Sequence, residues 1–208
     1  MQEFDVNADK TVGPRKILVN KGARPEDKPI WIEGPHLYKI NGNYFLMSAE
    51  GGTAGWHSEV IFRGDSPTGK FIPWKNNPIL TQRQLDAERP NPVTCAGHAD
   101  LVQTREGDWW QSFWLAVPLN NTFENLGRET FMMPVKWSED GFPYMTQGDD
   151  LVPVIVRREG VKRDESATFG NFEMNDGFDG QTLGMEWMTL RAPATGLTRF
   201  PRLRVISL

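Results

Sequence analysis

The residue with the clearest potential for chemistry is Glu33. It lies in the segment Trp-Ile-Glu-Gly-Pro-His-Leu-Tyr at 31–38, with apolar residues before it and a proline soon after. A carboxyl group among apolar neighbours keeps its proton to higher pH, because its charged form loses solvation. Such a group can protonate the leaving oxygen when a glycosidic bond is cleaved. The alternative interpretation is an exposed glutamate at a strand end.

An internal repeat gives Glu33 a counterpart. The segment 34–45 resembles 98–110, and Leu37 corresponds to Leu101 at an offset of 64 residues. Each copy has a strand, a glycine turn and a second strand opened by aromatic residues. Four short strands with their loops fit one such repeat, which is the size of a β-propeller blade.

In a propeller, the first strand of each blade lines the central channel. Glu33 stands at this position in the first copy, and Gly97-His98 stands there in the second. We therefore expect these reactive side chains to converge on one central pocket.

Short strand-like runs bounded by turn residues dominate the remainder, and the sequence contains 20 Gly and 15 Pro. This pattern predicts an all-β fold. The main predicted strands are Asn43–Ala49, Ser58–Arg63, Asp108–Leu115 and Thr130–Trp137, preceded by outer strands at Gln2–Asn7 and Arg15–Val19.

Composition excludes several classes of function. The 208 residues include 23 Lys+Arg and 27 Asp+Glu, for a net charge of −4, and no basic run predicts nucleic-acid binding. No apolar run could span a membrane, and residues 1–10 do not resemble a signal peptide. The single cysteine, Cys95, excludes an intrachain disulfide. Eight Trp and twelve Phe fit either an aromatic β core or stacking on sugars.

A charged stretch, 157–165, marks a change in composition. It predicts a first domain at 1–157, a linker at 158–170 and the beginning of a β-sandwich domain at 171–208.

Five segments, in the same order along the chain, resemble glycoside hydrolase family 43, of the β-xylosidase and α-L-arabinofuranosidase type. The resemblance extends from about residue 2 to 155. The segments are Trp31–Met47, Ala49–Val60, Asn77–Thr81, Ala96–Val102 and Leu126–Phe131.

The resemblance implies a role for each candidate. Glu33 would be the general acid, and His98 would lie at the pocket floor, where family members hold a calcium ion or a water. Arg128 would bind the sugar in the −1 site, since its planar fork suits hydroxyls and carboxylates. Thr53 and His57 would border the leaving-group side. No cofactor would be required, and Ca²⁺ at the propeller centre would be a weak site, because one imidazole is a poor ligand set for it.

Each assignment has a structural alternative. His98 could be a core histidine, and Arg128 could pair with Glu129 on the surface. We interpret His36 as structural, because it alternates away from Glu33 along the strand. Three tryptophans, at 56, 109 and 110, are interpreted as blade packing.

The family's five-bladed propeller takes its general base from an aspartate on the first blade and a second aspartate from the next. Asp5 and Asp9 precede Glu33 but do not resemble channel-lining residues, so neither is assigned as the base. We therefore expect a fragment that covers the later blades, requires the missing N-terminal half of the propeller and is inactive alone.

The function that follows is hydrolysis of terminal xylose or arabinofuranose from hemicellulose-derived saccharides, with inversion, as in xylan degradation. For the full-length protein, the resemblance implies a bacterial extracellular or periplasmic enzyme. The alternatives are a non-catalytic carbohydrate-binding propeller module and a structural scaffold whose pocket is vestigial.

Overall fold

The computed structural model describes residues 1–118, 124, 126–160, 176–178 and 187. The chain divides into two compact units, Met1–Arg157 and Arg158–Leu208, and every described strand lies in the first. Within the described residues, no helix is long and apolar enough to cross a membrane.

The described elements, in chain order, are twelve strands and one 3-10 turn. They are β1 (Glu3–Asp5), β2 (Lys10–Val12), the 3-10 turn (Pro25–Asp27), β3 (Ile32–Ile40), β4 (Asn43–Glu50), β5 (Ser58–Gly64), β6 (Ile72–Pro73), β7 (Leu80–Thr81), β8 (Thr94–Gln103), β9 (Trp109–Ala116), β10 (Glu129–Pro134), β11 (Lys136–Trp137) and β12 (Pro143–Tyr144).

The first blade is an antiparallel sheet in the order β3-β4-β5-β6, in which β7 also pairs with β5. A two-residue turn, Asn41-Gly42, joins β3 to β4. Both residues have positive φ, 49° and 80°, as the tight turn that matches strand twist requires. This turn fixes the register in which Ile40 pairs with Asn43.

The second blade has the order β10-β9-β8 and repeats the register of the first. Leu37 pairs with Leu46 in the first blade, and Leu101 pairs with Gln111 in the second. The offsets are 64 residues on the first strand and 65 on the next. The internal repeat in the sequence therefore corresponds to two structurally equivalent blades, with β3 and β8 each on the edge of its sheet.

Apolar side chains fill the space between the two blades. Met47 and Ile61 of the first blade meet Phe113 and Leu115 of the second in one buried cluster. Each fully buried side chain of this size contributes about 1.5–3 kcal/mol to folding. A second cluster on the opposite face of the first blade contains Leu46, Val60, Phe62, Phe71 and Ala23. Both faces of the first sheet are therefore apolar, as in a layered β fold.

The predicted strands agree with the observed ones within two residues, with two corrections. The run 130–137 is two strands, because its register with β9 ends at Pro134 and Lys136-Trp137 pairs instead with β12. Arg15–Val19 is not a strand, and β1 pairs instead with β2. Leu18 and Val19 pack on the second cluster from an irregular segment. The predicted linker and sandwich lie almost entirely outside the described residues.

Candidate active site

The beginnings of β3 and β8 lie side by side, as the repeat predicts. A Cβ built on Gly34 would come within 2.3 Å of His98 Nε2, so the glycine backbone is directly against the imidazole. Two residues further along, His36 Nδ1 and Asp100 Oδ1 lie 2.9 Å apart. These pairs join equivalent positions of neighbouring blades. His36 is therefore a contact between blades, in agreement with its structural interpretation.

Tyr38 continues the contact between the strands. Its hydroxyl oxygen accepts a hydrogen bond of 2.9 Å from the N–H of Leu101. Burial is the largest cause that raises the pKa of Tyr38 to about 12, and the carboxylates of Asp100 and Glu59 add to it against the effect of the Leu101 N–H. The phenol therefore stays protonated and donates to Asp100.

Irregular backbone marks the site ends of both strands. The β3 register shifts between Glu33 and His36, and β8 has two such shifts, on either side of Gly97. Trp31, Cys95 and His98 have φ values of 42°, 54° and 53°, which side chains other than glycine rarely adopt. Such residues cost about 1–3 kcal/mol each and cluster at functional sites. Bulges re-aim side chains, and here they displace Glu33 and His98 from simple alternation.

Glu33 itself is exposed and pairs across the sheet with Ala49. Trp31 is 68% exposed and packs near Gly52 instead of covering the carboxyl group. The apolar residues that precede Glu33 in the sequence thus do not bury it within this chain. The carboxyl group is therefore accessible to solvent in this chain.

His57 lies beneath the site, with 1% of its surface exposed. Its Nδ1 is 2.8 Å from the carbonyl oxygen of Cys95, which can only accept, so this nitrogen carries the hydrogen. Burial is the main cause that lowers the pKa of His57, and the charges of His98, Glu33 and Arg128 also act on it. The charges of all three candidate residues therefore act on one buried imidazole.

The ring of Trp114, in β9, lies next to the side chains of His57, His98 and Arg128. Its ring stacks on His57 with centroids 4.3 Å apart and an interplanar angle of 22°. The guanidinium carbon of Arg128 lies 4.5 Å from the indole centroid, and the His98 ring lies 6.5 Å away. Among the described residues, Arg128 forms no ion pair with Glu129, so that structural alternative is not supported.

Glu59 anchors the backbone of His98 from the neighbouring blade. Its Oε2 accepts a 3.0 Å hydrogen bond from the N–H of Ala99, and the N–H of His98 also contributes. Oε1 has no hydrogen-bond partner within the described part of the chain. Burial raises the pKa of this carboxyl group well above its usual value, more than the backbone N–H groups lower it.

The loop between β4 and β5 forms the other side of the site. Thr53 is exposed there, four residues after the strand partner of Glu33. Trp56 is 71% exposed, so the prediction that it packs within a blade is wrong, whereas Trp109 packs on the core as predicted. A cavity of about 330 Å³ opens beside this loop. It is lined by residues that include Lys28, Ile30, Glu50, Trp56 and Arg83.

His98 is the residue at which the family resemblance implies calcium. No group of three or more His, Cys, Asp or Glu side chains suited to a metal ion occurs among the described residues. Calcium takes six to eight oxygen ligands, and His98 supplies one nitrogen. Calcium at this position stays a prediction, and no chemical step is assigned to it.

Replacing Gly34 with alanine is expected to displace His98. The new Cβ would collide with Nε2, and alanine at φ 55° adds about 1–2 kcal/mol of backbone strain. Gly141→Ala is the matched control, since Gly141 has φ 79° but nothing within 4 Å of a Cβ. Urea unfolding should show the larger loss of unfolding free energy in Gly34→Ala, because only this variant adds a collision to the backbone strain. Equal losses in both variants would contradict the contact between Gly34 and His98.

Two antiparallel blades whose first strands lie side by side fit part of a β-propeller. The family model of glycosyl hydrolases family 43 matches residues 1–143. The chain belongs to this family and forms part of a five-bladed propeller.

Known relatives agree with this assignment. A non-reducing end α-L-arabinofuranosidase from Bacteroides ovatus is 40% identical over 170 residues, which cover 78% of this chain and 29% of the relative. A family 43 protein from a capybara gut metagenome is 45% identical, with a TM-score of 0.66 and coverage of 77% and 29%. A xylan β-1,4-xylosidase from Bacillus halodurans is 32% identical, with a TM-score of 0.66 and coverage of 93% and 35%. The chain thus spans about a third of the length of these proteins.

The structure brings Glu33, His98 and Arg128 together and places Thr53 at the same end of the sheet. His57 lies beneath them and has almost no surface to offer a sugar. Trp114 and Glu59 were not identified from the sequence. The run of aromatic residues that contains Trp114 was a signal, but it predicts a packed core equally well.

Proposed function

We propose that this chain carries the acid-bearing part of an exo-acting glycosidase that removes terminal xylose or arabinofuranose with inversion. The observation that carries the proposal is the grouping of His57, His98 and Arg128 around the ring of Trp114, with the residue next to Glu33 against His98, in a chain of family 43. The arabinofuranosidase and xylosidase among its relatives support this substrate class.

The proposed chemistry divides between this chain and the preceding blades. Glu33 protonates the glycosidic oxygen as the bond to the anomeric carbon breaks. A water attacks the opposite face of the sugar, and a carboxylate about 6.5–9.5 Å from the acid takes its proton. By the family resemblance, that carboxylate is expected on an earlier blade. Arg128 and His98 hold the sugar hydroxyls, and Thr53 borders the leaving group.

Hydrolysis products test this proposal directly. The native polypeptide that carries this chain, whatever its length, is incubated with a β-xyloside and an α-arabinofuranoside. Proton NMR of the first product should show inverted configuration, while the isolated 208-residue chain should give no measurable turnover. Retained configuration would contradict the inverting assignment. Clear turnover by the isolated 208-residue chain would contradict the proposal that the second carboxyl group lies on an earlier blade.

A second candidate is a non-catalytic carbohydrate-binding module. It is favoured by the fact that the resemblance assigns only one of the two required carboxyl groups to this chain. This candidate predicts a sugar-induced thermal shift in the native polypeptide without hydrolysis. A vestigial scaffold predicts neither.

A further inference from the structure

We propose that Trp114 is a positioning residue, whose indole holds the guanidinium of Arg128 in the sugar site. This inference deepens the proposed function and rests on the sugar-binding role of Arg128. Nothing in the sequence motifs assigns Trp114 a role.

The first step concerns Arg128, which is exposed and immediately precedes β10. A long exposed side chain samples many rotamers, and fixing it costs conformational entropy on binding. The indole face 4.5 Å from its guanidinium carbon is the contact that restricts it. A cation–π contact of this kind is worth from a few-fold to about 30-fold in binding.

The second step concerns what holds the indole in place. Thr130 of β10 pairs with Trp114 of β9, so Arg128 lies two residues before the strand partner of Trp114. On β8 the partner of Trp114 is Gly97, and a Cβ there would meet the His57 ring at 2.6 Å. The imidazole therefore occupies the space that a side chain at Gly97 would take, and it packs flat on the indole.

The third step concerns the charge of the His57 ring that stacks on Trp114. Nδ1 of His57 donates to the Cys95 carbonyl, and burial favours the neutral ring by lowering its pKa. A neutral imidazole against the indole does not repel the nearby guanidinium, whereas an imidazolium would. His57 thus packs against the indole of Trp114 from the buried side, and Arg128 is held where it binds the sugar.

The test compares Trp114→Leu and Trp114→Phe in the native polypeptide. Leucine should raise KM about 10-fold with a smaller change in kcat, and phenylalanine, which keeps an aromatic face, should change KM less than about 3-fold. Trp109→Leu is the matched control, because Trp109 lies on the same strand but packs on the core and Trp137. It should lower the melting temperature with little change in KM.

A double mutant establishes whether Trp114 acts through Arg128. In the Arg128→Met background, Trp114→Leu should add less than about 2-fold to KM, because the interaction is already lost. Full additivity, or a KM effect of Trp109→Leu as large as that of Trp114→Leu, would overturn the proposal.

A readout without turnover keeps this inference separate from the proposed function. In arginine-labelled wild-type polypeptide, the side-chain protons of Arg128, identified by their loss in Arg128→Met, should be shifted upfield by the indole ring current. Trp114→Leu should abolish the shift. An unshifted wild-type signal overturns the positioning role even if hydrolysis is observed, and a shifted signal without hydrolysis contradicts only the proposed function.

Discussion

Replacing Glu33 with glutamine is expected to lower kcat by about 10²–10⁴-fold, since this is the usual contribution of a general acid. Glutamine keeps the shape of the side chain but cannot donate a carboxyl proton. The exposed position of Glu33 on β3 makes a fold defect from this change small. Hydrolysis of a xyloside by the native polypeptide is the measurement, with Kd for the sugar product expected to stay within a few-fold.

Comparing two substrates with different leaving groups makes the test of Glu33 more specific. A saccharide or alkyl leaving group needs protonation, whereas a dinitrophenolate leaves readily without it. The loss in Glu33→Gln should therefore be much smaller with the activated aryl glycoside. Glu139→Gln is the matched control, because Glu139 is exposed in the turn between β11 and β12. Equal losses with both substrates would exclude Glu33 as the acid.

Replacing Glu59 with glutamine is expected to remove one contribution to the pH dependence of stability. The folded-state pKa of Glu59 is raised well above 4.5 by burial, so the folded protein keeps this proton when the unfolded chain has lost it. As the pH rises from about 4.5 towards the folded-state pKa, the wild type loses up to about 1.4 kcal/mol of unfolding free energy per pH unit from this group. The full contribution is present below the unfolded value.

The glutamine variant lacks this titration, so its stability relative to the wild type should increase with pH. Urea unfolding of the native polypeptide between pH 4.5 and 8 measures the difference. Glu139→Gln, at an exposed position, should run parallel to the wild type. Parallel profiles for Glu59→Gln as well would show that Glu59 is not held protonated. The amide can still accept from the N–H of Ala99, so His98 should keep its backbone position.

Much of the fold follows from local signals in the sequence. The Asn41-Gly42 turn and the repeat that relates Leu37 to Leu101 predict both blades and their equivalence. Strand ends agree because turn residues bound each apolar run. The segment Arg15–Val19 does not follow this pattern, because its apolar residues pack on the first blade without a strand partner.

The candidate site is less accessible to sequence reasoning. Motifs identify Glu33, His98 and Arg128, but they do not show that the bulges leave Glu33 exposed. The burial of His57 depends on the absence of a side chain at Gly97, 40 residues away. Trp114 and Glu59 act across strands and blades, and such contacts have no local pattern.

The bulges in β3 and β8 also affect how these edge strands meet other chains. Within the part of the chain that the structure describes, each strand has one side without a partner strand, and regular edges of this kind template pairing with foreign strands. The register shifts near Glu33 and Gly97 break the even spacing of the N–H and C=O groups along each edge. The N–H groups of Ala99 and Leu101 already donate to Glu59 and Tyr38. An incoming strand cannot pair along the whole edge. The irregular backbone at the beginnings of β3 and β8 therefore also guards the protein against edge-to-edge aggregation.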